Sequence, residues 1–164
     1  RNGGLFICHL RCMKILLVCL GNICRSPMAE GILRHMIAGQ GLGWRTDSAG
    51  TGDYHVGEQP DRRAMKAMRD RGIDISDLRA RQLRPSDFEE FDLLLAMDAS
   101  NLRNMLDIAP SPELAKKACL MMDFAPGHAH REVPDPYFGG DEGFVEVYDM
   151  LTIACGNVLK HGGR

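Results

Sequence analysis

A chain of 164 residues, 45% of them hydrophobic and 26% charged, has the composition of one ordinary globular domain and is too short for two. Its net charge of −2 gives no global attraction to nucleic acid or to an anionic membrane, so any affinity for phosphate has to be local. No apolar run reaches the length of a membrane span, and six cysteines without the spacing of a secreted scaffold or a zinc knuckle point to a reducing, cytoplasmic setting.

Residues 1–12 precede Met13 and are expected to form a peripheral extension; Leu5-Phe6-Ile7 is too short for the core of a signal peptide, and no small-residue cleavage site follows. A single domain is expected over 13–164. Lys14 to Val18 reads as a strand apolar enough to be covered on both faces. Ala29, Ile32, Leu33, Met36 and Ile37 recur at helical spacing, with Pro27 at the tolerated first position and Gly39 as a stop. Trp44 to Ala49 predicts a second strand and Gly50 to Gly57 an exposed loop. Pro60-Asp61 opens a second helix that runs to a cap at Gly72, and Asp74 to Gln82 reads as polar connection. Phe91 to Met97 is the strongest strand, followed by a helix capped from Asp98, and Cys119 to Met122 is a short fourth strand. A proline-rich loop over Pro126 to Phe138 precedes an amphipathic helix built on Phe144, Val147, Tyr148, Leu151, Cys155 and Val158.

Strands alternating with helices predict an α/β fold with right-handed crossovers and a parallel sheet. Ligands of such sheets bind beyond the carboxyl ends of the strands, where the loops at Cys19, Gly50, Asp98 and Asp135 all emerge.

The loop from Cys19 to Ser26 turns from strand to helix. Such a turn directs unpaired backbone N–H groups into one concavity, and the helix dipole adds positive potential there. This cup favours phosphate or a thiolate over a neutral group. Gly21 and Asn22 are expected to take the left-handed angles that turn those groups inward. Arg25 offers a planar fork for two phosphate oxygens, and Cys19 lies where the same field lowers a thiol pKa into the range of roughly 3.5–7.5 found for activated cysteines. Ser26 can donate a hydrogen bond to the sulfur. Taken alone, Cys-x5-Arg also fits an inert buried cysteine near an arginine.

Expelling a phenol of pKa near 10 at neutral pH calls for a proton donor worth roughly 10²–10⁴ in rate. Asp135 in Val133-Pro-Asp-Pro-Tyr-Phe138 is the candidate, because the flanking prolines stiffen its backbone. A plain turn is the alternative for Pro-Asp-Pro.

Cys19-Leu-Gly-Asn-Ile-Cys-Arg-Ser-Pro-Met-Ala-Glu30 closely resembles the signature of the low-molecular-weight protein tyrosine phosphatases, and Asp135-Pro-Tyr137 resembles their acid loop. The resemblance runs from Met13 onward. It implies a doubly wound four-stranded sheet in the order 2-1-3-4 and hydrolysis of phosphotyrosine or small aryl phosphates through a cysteinyl-phosphate. Inorganic phosphate and other oxyanions would act as inhibitors, and no cofactor is implied. Cys19 would be the nucleophile, Arg25 the clamp and Asp135 the acid. Leu20, Gly21, Asn22, Ile23, Cys24, Arg25 and Ser26 would wrap the phosphate, Asn22, Ser26 and Ser48 would support the loop, and Ile23, Tyr54 and Tyr137 would line the ring slot. Asp47 reads equally as loop support or as a turn former. Cys24 is either buried filler or the partner that traps oxidised Cys19 as a disulfide. Leu78 stands where relatives often carry a histidine that helps support the loop asparagine, which predicts a looser loop.

No metal is expected: His128 and His130 share a loop without further partners at ligand spacing. The related thiol-dependent arsenate reductases need a relay cysteine, and none lies between Cys24 and Cys119. Phosphoarginine phosphatases resemble the chain too, but typically carry Thr at the position of Ile23. A phosphate-binding module without catalysis is a third alternative, disfavoured by the pairing of Cys19 with Asp135.

Overall fold

The computed structural model describes residues 12–161; the part of the expected extension at residues 1–11 lies outside them. Four parallel strands form one sheet: β1 (Lys14–Cys19), β2 (Arg45–Gly50), β3 (Leu93–Ala96) and β4 (Ala118–Leu120), in the order β2-β1-β3-β4. Central β1 pairs with β2 from Lys14–Arg45 to Cys19–Gly50 and with β3 from Ile15–Leu93 to Val18–Ala96. This is the sheet and strand order expected from the resemblance.

Alternation along β1 explains why the strand is apolar throughout. Ile15 and Leu17 enter one core with Met28, Ile32, Leu33, Met68, Phe144 and Leu151, whereas Leu16 and Val18 enter the other with Phe88, Phe91, Leu94 and Met105. The first core lies under α1 (Arg25–Gly39), α2 (Arg62–Arg69) and α6 (Asp141–His161). The second lies under α3 (Asp87–Glu90), α4 (Ala99–Ile108) and α5 (Pro112–Ala115). No helix among the described residues is long and apolar enough to cross a membrane.

Boundaries move where local hydrogen bonding outweighs hydrophobicity. Pro27 is the third residue of α1, because the loop hands its chain to the helix at Arg25. Gly39 is the last residue of α1, in line with its expected role as the stop, and the turn that follows uses the left-handed Gly41. β2 begins at Arg45 and runs through Gly50, and α2 stops at Arg69, three residues before the left-handed Gly72. β3 is limited to Leu93–Ala96: the Phe91 N–H closes α3 by donating to the Asp87 carbonyl, and Met97 is buried beyond the ladder. β4 likewise ends at Leu120, whose N–H donates to the Asp123 carboxylate, turning Met121–Phe124 into a 3-10 turn. The short helices α3 and α5 escape the periodicity because one turn carries too little pattern to read.

The largest correction concerns Asp74 to Gln82. It carries no helix or named strand, yet Ile75 is fully buried, Ala80 is buried, and Gln82 bridges to Gly50. It therefore forms the floor beneath the loop at Cys19. Ile75 packs against Gly31 of α1: a Cβ at Gly31 would overlap Ile75 Cγ2 and lie 3.1 Å from Met68 Cε. Gly31→Ala improves helix propensity by up to about 1 kcal/mol, but overpacking a rigid β-branched neighbour costs roughly 1–3 kcal/mol. The variant is therefore expected to unfold at lower urea concentration than the wild type; an unchanged or higher midpoint would contradict this packing.

Candidate active site

Cys19 ends β1 and is 3% exposed at the bottom of a cavity of about 150 Å³. Its Sγ lies 3.0 Å from Ser26 Oγ and accepts the Asn22 N–H at 3.3 Å. The direction of the hydroxyl follows from its other partner. Asn22 Nδ2, which can only donate, lies 2.8 Å from Ser26 Oγ, so the single hydroxyl hydrogen is left for the sulfur.

Asn22 is the left-handed residue of the loop, with φ of 56°. Gly21 is not, contrary to expectation. Its missing side chain instead makes room for His55, whose Cδ2 would stand 3.1 Å from a Cβ at that position. Asn22 Nδ2 also donates to Ser48 Oγ at 2.9 Å, and Asn22 Oδ1 accepts the Arg81 N–H at 3.0 Å. Both amide hydrogens and the carbonyl oxygen are thus engaged without any group from Leu78, which packs against the core.

Ser48 passes the network deeper by donating to Glu30 Oε2 at 2.7 Å. Asp47 serves as loop support and not as a turn former: it lies within β2, where Oδ1 accepts the Ser48 N–H and Oδ2 accepts from Arg81 Nε at 3.0 Å. Arg81 also donates to the fully buried Asp87 through both terminal nitrogens. The floor of the loop is therefore an ion-paired framework tying β2 to α3.

Arg25, 3% exposed, donates from Nη1 to Asp98 Oδ2 at 2.7 Å and to the Val133 carbonyl at 3.0 Å. Its Nη2 stands 3.6 Å from Asp135 Oδ2. Asp98 uses its other oxygen to cap α4, accepting the Asn101 N–H at 2.7 Å. Asp135 is 39% exposed and accepts the Tyr137 N–H on Oδ1. The cavity brings Cys19, Leu20, Gly21, Ile23, Cys24 and Arg25 together with Tyr54, Asp135 and Tyr137. Asn22, Ser26 and Ser48 lie behind this lining. Cys24 is buried at the helix entrance, and burial pushes its thiol well above the ordinary value. Among the described residues, no three His, Cys, Asp or Glu side chains gather at a spacing that would hold a metal ion.

A family model for low molecular weight phosphotyrosine protein phosphatases matches residues 14–162. The chain belongs to that family. A protein of Synechocystis is 50% identical to this phosphatase over 93% of its chain and 98% of the relative. Among solved structures, a protein tyrosine phosphatase of Entamoeba histolytica with Hepes in its active site is 43% identical, with a TM-score of 0.86, covering 92% of this chain and 98% of that one. A Drosophila arginine phosphatase is 34% identical, with a TM-score of 0.86 and coverage of 93% and 99%.

Sequence reasoning missed several contributors to this phosphatase's site. Asp98 was legible as a helix cap but not as the partner of Arg25, because one carboxylate serves both. Arg81 acts through its backbone N–H, which no side-chain pattern reveals. His55 reaches the pocket only through loop geometry. Glu30 left a faint trace, as a carboxylate within the otherwise apolar stretch from Pro27 to Leu33.

Burial pushes the Glu30 carboxyl up to about 7; the Asp47 charge adds to this and the hydrogen bond from Ser48 opposes it. Between its ordinary value of 4.5 and about 7, the folded protein holds a proton that the unfolded chain releases. Glu30's contribution to stability is therefore full below pH 4.5 and falls as pH rises towards 7, by on the order of 3 kcal/mol. Glu30→Gln keeps an acceptor for Ser48 without the charge. Urea unfolding should show this variant gaining stability relative to wild type between pH 4.5 and 8; a constant difference would mean that Glu30 ionises freely.

Proposed function

We propose that this phosphatase hydrolyses phosphotyrosine and other aryl phosphate monoesters through a cysteinyl-phosphate, with Asp135 as acid and then base. The observation carrying this reading is that Cys19 and Asp135 line one cavity, with Cys19 Sγ held against the Ser26 hydroxyl and the Asn22 N–H. In the first step sulfur attacks phosphorus as the aryl oxygen leaves with the Asp135 proton. In the second, the Asp135 carboxylate takes a proton from water, the water oxygen bonds to phosphorus, and the sulfur–phosphorus bond breaks. Ser26 and the Asn22 N–H receive the returning thiolate.

The loop N–H groups from Leu20 to Ser26 and the Arg25 fork hold the equatorial oxygens through both steps. Asp98 keeps the guanidinium aimed before substrate arrives, so little reorganisation is needed. Backbone donors and one guanidinium carry the charge that a metal would otherwise carry, and inorganic phosphate or another oxyanion would compete for the same cup. Tyr54 and Tyr137 flank the opening as walls for a substrate ring. Ile23, 7% exposed in the cavity, offers hydrocarbon and no hydrogen-bond acceptor, which favours a phenyl ring over a guanidinium. That sets this chain apart from an arginine phosphatase, despite the shared fold. An arsenate-reducing relay finds no support, since Cys119 sits on β4 and no cysteine lies between it and Cys24. We place the enzyme in the cytoplasm on its free thiols.

Hydrolysis of phenyl phosphate in EDTA is expected to vanish in Cys19→Ser and to fall by about 10²–10⁴ in Asp135→Asn. Phosphoarginine should be a poor substrate, and arsenate should not be reduced. Full activity in Asp135→Asn would remove the acid assignment, and phosphoarginine turnover matching that of phenyl phosphate would overturn the aryl preference.

Cys24 supplies a second thiol beside the nucleophile. Oxidised Cys19 is expected to be captured by Cys24 as a disulfide, so that dithiothreitol restores activity after peroxide in wild type but not in Cys24→Ala. Finding overoxidised Cys19 and no bridge in wild-type protein would refute the pairing.

A further inference from the structure

Asp135 lies in an exposed loop with little regular structure to hold it. From Val133 to Gly139 the chain forms no helix or strand, and its two prolines lack an N–H. Its near end is fixed: the Val133 N–H donates to the Met97 carbonyl at 2.9 Å, and its carbonyl accepts from Arg25. Its far end is held by an arginine that the reaction does not otherwise use. Arg63, in the first turn of α2, donates from Nη2 to the Tyr137 carbonyl at 3.0 Å and from Nη1 to the Gly139 carbonyl at 3.3 Å.

Arg63 is itself fixed on three sides. Its Nε and Nη2 reach the two Asp61 oxygens at 3.1 and 3.0 Å. Its guanidinium stacks over the Phe144 ring of α6 at 4.8 Å and the Tyr137 ring at 5.6 Å. Burial pushes the Asp61 carboxyl up, but the hydrogen bonds from Arg63 outweigh that and leave it below the usual carboxylate range, so the pair is ionic. Asp61 also touches the phosphate loop, since its N–H donates to the Ile23 carbonyl at 2.7 Å. A continuous path therefore runs from Ile23 through Asp61 and Arg63 to the Tyr137 backbone, whose N–H holds Asp135 Oδ1 at 3.1 Å.

We infer that Arg63 is a positioning residue for the general acid, setting the height of Asp135 above Cys19 by clamping the loop's two far carbonyls against the end of α2. The inference rests on the reading of Asp135 as the acid. It follows from what a donor must do: an ångström of misplacement costs about two orders of magnitude, and among the described residues the only side-chain donors to the carbonyls between Val133 and the start of α6 at Asp141 are Arg25 and Arg63. Because Tyr137 forms a slot wall and touches the same guanidinium, the clamp also keeps the wall and the acid in register.

The measurement is kcat/KM, which covers every step through departure of the phenol, for phenyl phosphate and for 4-nitrophenyl phosphate. The second leaving group is acidic enough to need little protonation. Asp135→Asn should lose far more on the phenyl ester than on the nitrophenyl ester. Arg63→Ala should show the same asymmetry on a smaller scale, about 10–100-fold on phenyl phosphate and several-fold less on the nitrophenyl ester. Arg63→Lys keeps the charge and the stem over Phe144 but reaches only one carbonyl; it should fall between, and it carries the comparison if the alanine variant fails to fold. In an Asp135→Asn background, Arg63→Lys should cost little further on either ester, because the group it places is gone. Equal losses on both esters in the Arg63 variants, beside an unequal loss in Asp135→Asn, would overturn the role of Arg63 and leave the acid standing. An equal loss in Asp135→Asn itself would bring down the acid assignment, and the role of Arg63 with it.

Discussion

The site depends on one buried side chain held in a conformation that most residues avoid. Asn22 occupies the left-handed region, where a non-glycine residue costs on the order of 1–3 kcal/mol, asparagine being among the less costly choices. Its amide meets Ser26, Ser48 and the Arg81 backbone, and buried hydrogen bonds contribute roughly 0.5–1.5 kcal/mol each. Three of them offset the strain. Removing any one would leave an unpaired polar group in a dry interior, so the loop has a single low-energy shape. That shape points the Asn22 N–H and the Ser26 hydroxyl at one sulfur.

The supporting shell is built from elements distant in sequence. β2 brings Ser48 and Asp47, the segment before α3 brings Arg81, and α1 brings Glu30 underneath. Close backbone approach completes it: a Cβ at Gly50 would stand 2.7 Å from the Leu20 carbonyl oxygen, so only glycine lets β2 reach the loop so tightly. The unneutralised carboxylate is the weak point of this shell. Glu30 has a hydroxyl partner but no cation in contact, and its burial opposes its charge.

Two arginines divide the remaining work. Arg25 is held through Nη1 by Asp98 and the Val133 carbonyl, so the loop at Cys19 and the Asp135 loop share an anchor. Arg63 stands outside the cup and spends its donors on main-chain carbonyls. Both are paired with a carboxylate, and a planar guanidinium suits this use because its donors diverge at fixed angles.

The apolar run of β1, the Cys19-to-Ser26 turn and the Pro-Asp-Pro loop were legible in the sequence, because each is a local pattern with a local physical cause. Ile15 to Val18 must be covered on both faces, a strand-to-helix turn must leave N–H groups unpaired, and prolines must stiffen what lies between them. The sequence alone therefore determined the α/β class, the nucleophile candidate and the acid candidate. The strand order came from the resemblance, and the tertiary structure bears it out. Only the tertiary structure decided that Asn22 rather than Gly21 makes the left-handed turn, that the polar stretch from Asp74 to Gln82 is a floor, that Asp98, Arg81 and Glu30 join the network around the loop, and that Arg63 reaches the carbonyls beyond Asp135. Those roles depend on which groups meet across 18 to 74 positions of chain: Arg25 with Asp98, Arg81 with Asp47, Arg63 with the Tyr137 carbonyl and Glu30 with Ser48. Hydrophobic periodicity carries no record of such pairings, because it reports which face of an element is buried and not what it is buried against.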